Sequence, residues 1–266
     1  SDAPFRRRLL AKCRNVVVKD FWEKEAEKAS GEAALATTVP YITSKFNTFI
    51  ANDYVRPIIA QPKSTLNFRE MLDRGRIVLV NLSKGKIGDL NSSLLGMVII
   101  GKLTMAAFSR ADVPSDRRRD FYLYVDEFQN FTTPSVATIL SEARKYRLNL
   151  TVAHQFINQL SREIRDAVFG NVGSIIAFRV GADDAEFLAK QFEPTFDARN
   201  LIGIDNLNAH VKLIIGGQVA PPFTVVVPFP SRGDEALRTL GREFSRLTYG
   251  RPRAEVEAEV YQRRRT

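Results

Sequence analysis

The chain is poor in the residues that build disulfide frameworks and metal clusters. Its 266 residues include one cysteine and two histidines. Cys13 alone excludes a disulfide framework and a thiolate metal site, and this usage is typical of a reducing compartment such as the cytoplasm. No apolar run has the length of a membrane span, since the longest, Leu94 to Ile100, sits in a longer mixed helix. The apolar stretch after the amino-terminal arginines is too short for a signal peptide.

The composition is that of a globular protein with an excess of arginine. Hydrophobic residues make up 44% and charged residues 26% of the chain, which is enough for one large domain or two small ones. The net charge is +9, so an acidic polymer such as DNA is an expected partner. Solvated faces that aid solubility are the alternative for any one cluster. Three arginine triplets carry much of the excess: residues 6–8, 117–119 and 263–265.

The most informative stretch is an apolar run that ends in two adjacent acids. Phe121 to Val125 are apolar or aromatic and are followed by Asp126 and Glu127. A parallel strand buried on both faces is nearly all apolar, and catalytic groups collect beyond the carboxyl ends of such strands. The pattern is that of a Walker B motif, in which Asp126 holds Mg²⁺ through its water shell and Glu127 polarises the attacking water. A strand that ends in a solvated acidic turn is the alternative.

The segments around this motif alternate between apolar strands and amphipathic helices, which predicts an α/β fold with a mostly parallel sheet flanked by helices. The first third of the chain is predicted to be helical, and two late strands to be antiparallel edge elements. The predicted strands are 76–82, 121–125, 148–153, 174–179, 211–215 and 223–227, and the main predicted helices are 91–110, 134–147, 157–169 and 182–192.

The chain contains no phosphate loop of the form Gly-x-x-x-x-Gly-Lys-Ser/Thr. The nearest match, Gly96 to Leu103, lacks the hydroxyl residue and falls inside a predicted helix, where its glycines are expected to permit close packing. The basic turn from Ser83 to Gly88 is favoured as a plain turn, with contact to phosphate or DNA as the alternative. We therefore expect the chain to be the carboxyl-terminal part of a longer ATPase, and to be inactive when isolated.

Several motifs in order resemble the TraG/TraD-like coupling ATPases of conjugation and type IV secretion, of the HerA/FtsK group with a RecA-like core. The resemblance covers roughly residues 15–260. It is carried by the following segments: Asn81–Lys86, Tyr124–Phe131, Ser141–Arg147, Ala153–Gln155 and Phe178–Ala185.

The resemblance implies an ATP-driven translocase that moves DNA through a homohexameric ring and binds ATP with Mg²⁺ between subunits. Gln155 resembles the family's sensing glutamine, beside the Walker B residues Asp126 and Glu127. Arg144 and Lys145 are candidates to reach a neighbour's nucleotide in trans, or simply to offset a helix dipole. Arg179 is a further candidate of the same kind. For Gln155, a polar cap on the next helix is the alternative.

The resemblance also suggests a division into residues 1–74, an all-α segment; 75–230, a RecA-like core with Walker B; and 231–266, a basic helical tail. It implies relaxase or secretion-channel proteins as partners and a place at the inner face of the cell membrane, with membrane contact only through segments outside this chain.

Two other functions remain open from the sequence. The Asp126–Gln129 stretch is similar to a helicase box, but no Gln-x-x-Gly-Arg-x-x-Arg sequence follows it. A DNA-binding or ring-capping module without hydrolysis is the other possibility.

Overall fold

A computed structural model describes residues 3–26 and 31–265. The chain divides into two compact units, Ser1–Pro62 with Pro252–Thr266, and Lys63–Arg251. Numbered in chain order, the α-helices are α1 (Ala3–Lys12), α2 (Val16–Asp20), α3 (Gly31–Ile50), α4 (Arg56–Ile59), α5 (Phe68–Asp73), α6 (Lys84–Ile87), α7 (Asp89–Phe108), α8 (Pro134–Glu142), α9 (Arg162–Asn171), α10 (Ala182–Phe192), α11 (Ala198–Gly203), α12 (Glu235–Tyr249) and α13 (Arg253–Arg265). The strands are β1 (Phe121–Val125), β2 (Leu148–Val152), β3 (Ile175–Ala177), β4 (Asn208–Lys212), β5 (Ile214–Ile215), β6 (Gln218–Val219) and β7 (Phe223–Val226).

The first unit is helical, as predicted for the amino-terminal segment, but its boundaries differ from the predicted division at residues 74 and 230. Helix α13 packs with α4 in this unit. The Glu257 carboxylate accepts from Arg56 at 3.3 Å and from Arg253 at 2.8 Å. Val55 and Val256 are buried. These contacts join the chain's last helix to its first third, and no composition pattern in the sequence marks them.

The second unit is built around the parallel pair β1 and β2. In this pair Phe121 lies opposite Leu148 and Val125 lies opposite Val152. Alternate side chains of both strands pack into one apolar cluster with α7, α8 and α9, to which Leu103, Ile139 and Val168 contribute. Each such buried side chain stabilises the fold by roughly 1.5–3 kcal/mol relative to exposure. The predicted strands at 121–125 and 148–153 are confirmed.

The α/β class is confirmed, but the expected mostly parallel sheet is only partly present in the described residues. Strand β3 pairs antiparallel with β4, and β4 pairs antiparallel with β7. The two late strands are therefore antiparallel, as predicted. Strand β3 joins them because its backbone groups must find a partner, and β4 supplies one along Ile175–Ala177.

The predicted first core strand, Arg76 to Leu82, is wrong as a strand. The segment is not part of any sheet in the described chain, and Ile77 and Leu79 expose 91% and 92% of their surface. An apolar β-branched run becomes a strand only when a neighbouring edge supplies its hydrogen bonds. That pairing cannot be read from the run itself.

Two predicted helices are shorter than expected. Helix α8 ends at Glu142 and passes into a 3₁₀ turn, Ala143–Tyr146, that ends at Arg147 with φ 59°. The predicted helix from Ile157 to Phe169 is instead a 3₁₀ turn, Ile157–Gln159, followed by α9. The Ser161 hydroxyl accepts from the Ile164 N–H and restarts the helix there.

Helix α7 runs through the near-match to a phosphate loop, as predicted. With its 3₁₀ extension to Asp112 it is long and apolar enough to cross a membrane by length and composition, contrary to the expectation from the sequence. Core helices of soluble proteins pass the same test, and in α7 Leu103, Ala106 and Ala107 are buried in the core. Gly96 lies against the Phe131 ring, which a Cβ at this position would overlap, whereas a Cβ on Gly101 meets nothing.

The two glycines of α7 give a matched pair of substitutions. Gly96→Ala is expected to lower the free energy of unfolding by roughly 1–3 kcal/mol, because Phe131 must move. Gly101→Ala is expected to leave it unchanged or raise it by up to about 1 kcal/mol, because alanine favours the helix. Denaturant unfolding of both variants measures this. Equal destabilisation by both would contradict the packing role of Gly96.

Candidate functional site

The candidate site begins where β1 ends, at a residue with an unusual backbone conformation. Glu127 has φ 49° and ψ 45°, in the left-handed region that side-chain-bearing residues rarely adopt. The Asp126 carboxylate accepts from the Glu127 N–H at 2.9 Å, and a 3₁₀ turn, Phe128–Phe131, follows at once. Such conformations persist only where the surroundings fix them, and they cluster at active sites.

The end of β2 lies beside the end of β1 and brings the predicted site residues together. The Ala153 N–H donates to the Val125 carbonyl and the Phe128 N–H to the Ala153 carbonyl, both at 2.9 Å. These bonds extend the backbone pairing past both strands, to Ala153 after β2 and to Phe128 after β1. Gln155 then donates through Nε2 to Glu127 Oε1 at 2.6 Å.

A second glutamine holds the other oxygen of the same carboxylate. Gln129 Nε2 donates to Glu127 Oε2 at 2.7 Å. Hydrogen bonds to a charged group are short and strong, so the two amides fix the orientation of the carboxylate. An ionised carboxylate has about four lone-pair sites, so Glu127 can still accept a hydrogen bond from a water molecule. Sequence patterns predict no role for Gln129, although it lies within the acid-tipped stretch.

The basic turn before α7 is connected to this site. Lys84 donates to the Asn130 side chain at 3.2 Å, and Asn130 donates to the Glu127 carbonyl at 3.1 Å. Lys84 also lies 3.6 Å from Asp89. The sequence favours a plain turn here. The only hint of the connection was the basic, glycine-rich composition of the segment, which does not specify a partner.

Asp126 is an exposed carboxylate beside Glu127. The described residues contain no group of three or more acidic, histidine or cysteine side chains that could enclose a metal ion. The exposed carboxylate of Asp126 is the kind of ligand that suits Mg²⁺, which keeps several waters and is commonly held by one or two carboxylates together with substrate phosphates. Asp126 is the residue that would hold it, as the sequence predicts.

The candidate basic residues lie elsewhere. Arg144 and Lys145 are in the 3₁₀ turn before β2, at the amino end of the strands, while Glu127 and Gln155 follow the carboxyl ends. Lys145 pairs with Glu142 at 2.8 Å, and Arg144 is exposed. Arg179 donates to Asn206 at 2.8 Å. Within the described residues none of the three contacts Glu127 or Gln155.

Two arginines of the central triplet are used inside the fold. Arg118 donates to the Val113 carbonyl at 2.9 Å and the Lys145 carbonyl at 2.6 Å, and Arg119 donates to the Arg74 carbonyl at 3.2 Å. The neighbouring Arg110 is buried and donates to the Tyr146 and Arg119 carbonyls. Only Arg117 of this triplet projects an exposed side chain with no partner among the described residues.

The two histidines have separate structural surroundings. His210 packs against Phe196 with ring centroids 3.8 Å apart and hydrogen-bonds Thr224 at 3.0 Å. His154, between β2 and Gln155, has its Nδ1 buried without a partner in the described chain. Burial lowers the pKa of His154, and the charge of Asp184 partly opposes that effect.

The comparisons with known proteins agree with the resemblance seen in the sequence. Residues 120–192 match the family model described as the TraM recognition site of TraD and TraG. This segment begins just before β1, ends at the last residue of α10 and contains Asp126, Glu127 and Gln155. The resemblance to TraG/TraD-like coupling proteins is thereby confirmed for this segment.

Among solved structures, the chain is similar to the bacterial conjugative coupling protein TrwBdeltaN70 in its unbound monoclinic form. The identity is 13% and the TM-score 0.43, over 64% of this chain and 41% of that chain. The match thus spans about two-fifths of the length of that protein. No curated protein matches the sequence.

The lowered pKa of His154 predicts a pH dependence of stability. In the unfolded chain the imidazole takes up a proton near its ordinary pKa of about 6.5, whereas in the folded chain it does so only at lower pH. The unfolded chain therefore binds more protons than the folded chain below about pH 6.5. The stability that comes from burying the neutral His154 imidazole is complete above that pH and is lost as the pH falls below it.

Thermal unfolding of the wild type and of His154→Gln between about pH 7.5 and 5 measures this effect, with the unchanged His210 present in both. The melting temperature of the wild type is expected to fall more steeply on acidification. Parallel curves would show that His154 is not the group responsible.

Proposed function

We propose that the chain is the carboxyl-terminal part of an ATP-driven DNA translocase of the coupling-protein type. The observation that supports this most strongly is the hydrogen bond between Gln155 and Glu127 at the shared carboxyl edge of two parallel strands. That edge is where α/β folds place their chemistry. The contact also lies within residues 120–192, the segment that matches TraD and TraG.

The residues divide the work of hydrolysis among themselves. Glu127, held by two amides, orients and polarises the attacking water. Gln155 donates to Glu127 directly. Loss of the γ-phosphate next to Glu127 would therefore change this hydrogen bond, and Gln155 would pass the change to β2, which it follows in the chain. Asp126 is the residue for Mg²⁺, which when bound neutralises charge on the nucleotide phosphates. The sequence contains no loop to wrap those phosphates, so ATP binding requires residues beyond these 266.

The proposed assembly is a homohexameric ring at the inner face of the cell membrane, with DNA as cargo. Its expected protein partner is a relaxosome protein, since the matching family is described as the TraM recognition site of TraD and TraG. Secretion-channel components are further expected partners. The net charge of +9 suits a polyanionic cargo.

A recognition or ring-capping module without hydrolysis is the second candidate. The description of the matching family as a recognition site favours it. In this case the strained Glu127 loop would serve only to shape a binding surface. The two functions differ in whether removal of the Glu127 charge changes turnover.

Turnover of ATP in the full-length gene product tests the catalytic assignment. Glu127→Gln is expected to bind ATP but to lose DNA-stimulated hydrolysis by on the order of 100-fold or more, because the residue that polarises water is gone. Glu163→Gln, at an exposed position in α9, is the control and should hydrolyse normally. Unchanged turnover in Glu127→Gln would favour the recognition module.

DNA binding is expected to weaken steeply as salt rises if arginines meet phosphates. Arg117→Ala should reduce the slope of log affinity against log salt by about 1, and Arg117→Lys should preserve it. Fluorescence anisotropy over roughly 50–200 mM salt measures both. A slope unaffected by Arg117→Ala would remove this arginine from the interface.

A further inference from the structure

A buried carboxylate lies behind the loop that carries Gln155. Asp184, in the first turn of α10, exposes only 6% of its surface, while the adjacent Asp183 is exposed. Burial of a charged group is costly unless hydrogen bonds compensate for it. Asp184 accepts through Oδ2 from the Ile157 N–H at 3.2 Å, 27 residues away in sequence. This carboxylate therefore connects α10 to the segment at Ile157, which follows β2.

Ile157 is the point at which the loop after β2 becomes regular again. It opens the 3₁₀ turn Ile157–Gln159, and its side chain is buried among Ala185, Leu188 and other apolar residues of the second core cluster. At the other end of the loop, Ala153 is hydrogen-bonded on both sides to the β1 chain. The stretch from Ala153 to Ile157 is thus fixed at both ends, with Gln155 exposed at its middle.

Fixing both ends determines where the Gln155 amide can reach. The bond to Glu127 is short, 2.6 Å, and a shift of the loop by about an ångström would take it out of hydrogen-bond range. Asp184 forms no ion pair among the described residues, and burial keeps the neighbouring His154 neutral at neutral pH by lowering its pKa. The backbone N–H of Ile157 is therefore the hydrogen-bond donor that the structure supplies to Asp184.

We propose that Asp184 is a positioning residue that holds the Gln155 loop through Ile157 and so sets the Gln155–Glu127 contact. Its role in hydrolysis rests on the proposed function. Within the described residues no hydrogen bond joins Asp184 to Glu127 or Gln155, so Asp184 acts through the backbone between Ile157 and Gln155. Helix α10 is in this way connected to the candidate hydrolysis site.

Asp183 and Asp184 provide a matched pair for the test, since both are acids in the same helical turn. In the full-length gene product, Asp184→Ala is expected to lower kcat for ATP hydrolysis roughly tenfold or more with little change in KM, as loss of a buried hydrogen bond would predict. Asp184→Asn keeps an acceptor oxygen and should retain most activity. Asp183→Ala should hydrolyse normally.

A double-mutant cycle with Gln155→Ala separates positioning from general damage. If Asp184 acts through Gln155, Asp184→Ala should lower kcat in the otherwise wild-type protein. In a protein that already carries Gln155→Ala, it should cause little further decrease in kcat. Independent losses that multiply in the double variant would overturn the proposal. Asp184→Ser, whose hydroxyl is too short to reach Ile157, replaces the alanine variant if that protein does not fold.

Measurements on the present chain, without ATP, distinguish this proposal from the proposed function. In Asp184→Ala the Ile157 amide should exchange with solvent about tenfold faster, and the Gln155 side-chain amide resonances should shift toward those of free glutamine. Asp183→Ala should change neither. If both remain unchanged in Asp184→Ala, the positioning role is wrong. If they change while the full-length wild type hydrolyses no ATP, positioning holds and the proposed function fails.

Discussion

The candidate site depends on the parallel register between β1 and β2. Because Val125 is paired with Val152, β1 and β2 end side by side. Backbone hydrogen bonds continue the pairing through Ala153. Glu127 lies two residues beyond β1 and Gln155 three residues beyond β2, so short extensions of the paired strands bring the two side chains together. A slip of one residue would turn each inward side chain of β2 outward, so the apolar cluster that buries Leu148 also fixes the site.

The strained backbone at Glu127 is the cost of that arrangement, and its neighbours hold it in place. Asp126 accepts from the Glu127 N–H, and Asn130 donates to the Glu127 carbonyl. Two glutamine amides bind the side chain as well. A left-handed conformation at a glutamate costs on the order of 1–3 kcal/mol, and each net hydrogen bond returns roughly 0.5–1.5 kcal/mol. The local bonds therefore suffice to keep the residue in this conformation.

The sequence predicted those parts of the fold that depend on local patterns. Strands β1 and β2, helix α10 and the location of the Gly96–Leu103 match inside α7 follow from apolar runs and helical periodicity. The strand at Arg76 and the direction of β3 did not follow, because strand pairing depends on a partner distant in sequence. For the same reason Asp184 was missed: an acid in the first turn of a helix is ordinarily explained by the helix dipole, and only the fold reveals its burial.

The positions of the basic candidates constrain how the site could be completed. Arg144 and Lys145 precede β2, whereas Gln155 follows it, and five residues of strand separate the two ends by roughly 16 Å. Arg118 holds the Lys145 carbonyl and so fixes this turn at the amino edge. A cation from this turn is therefore too far from Glu127 of its own chain to act at the same site. If Arg144 serves hydrolysis at all, it must serve the site of a neighbouring copy, an arrangement that a ring of identical subunits provides at every interface.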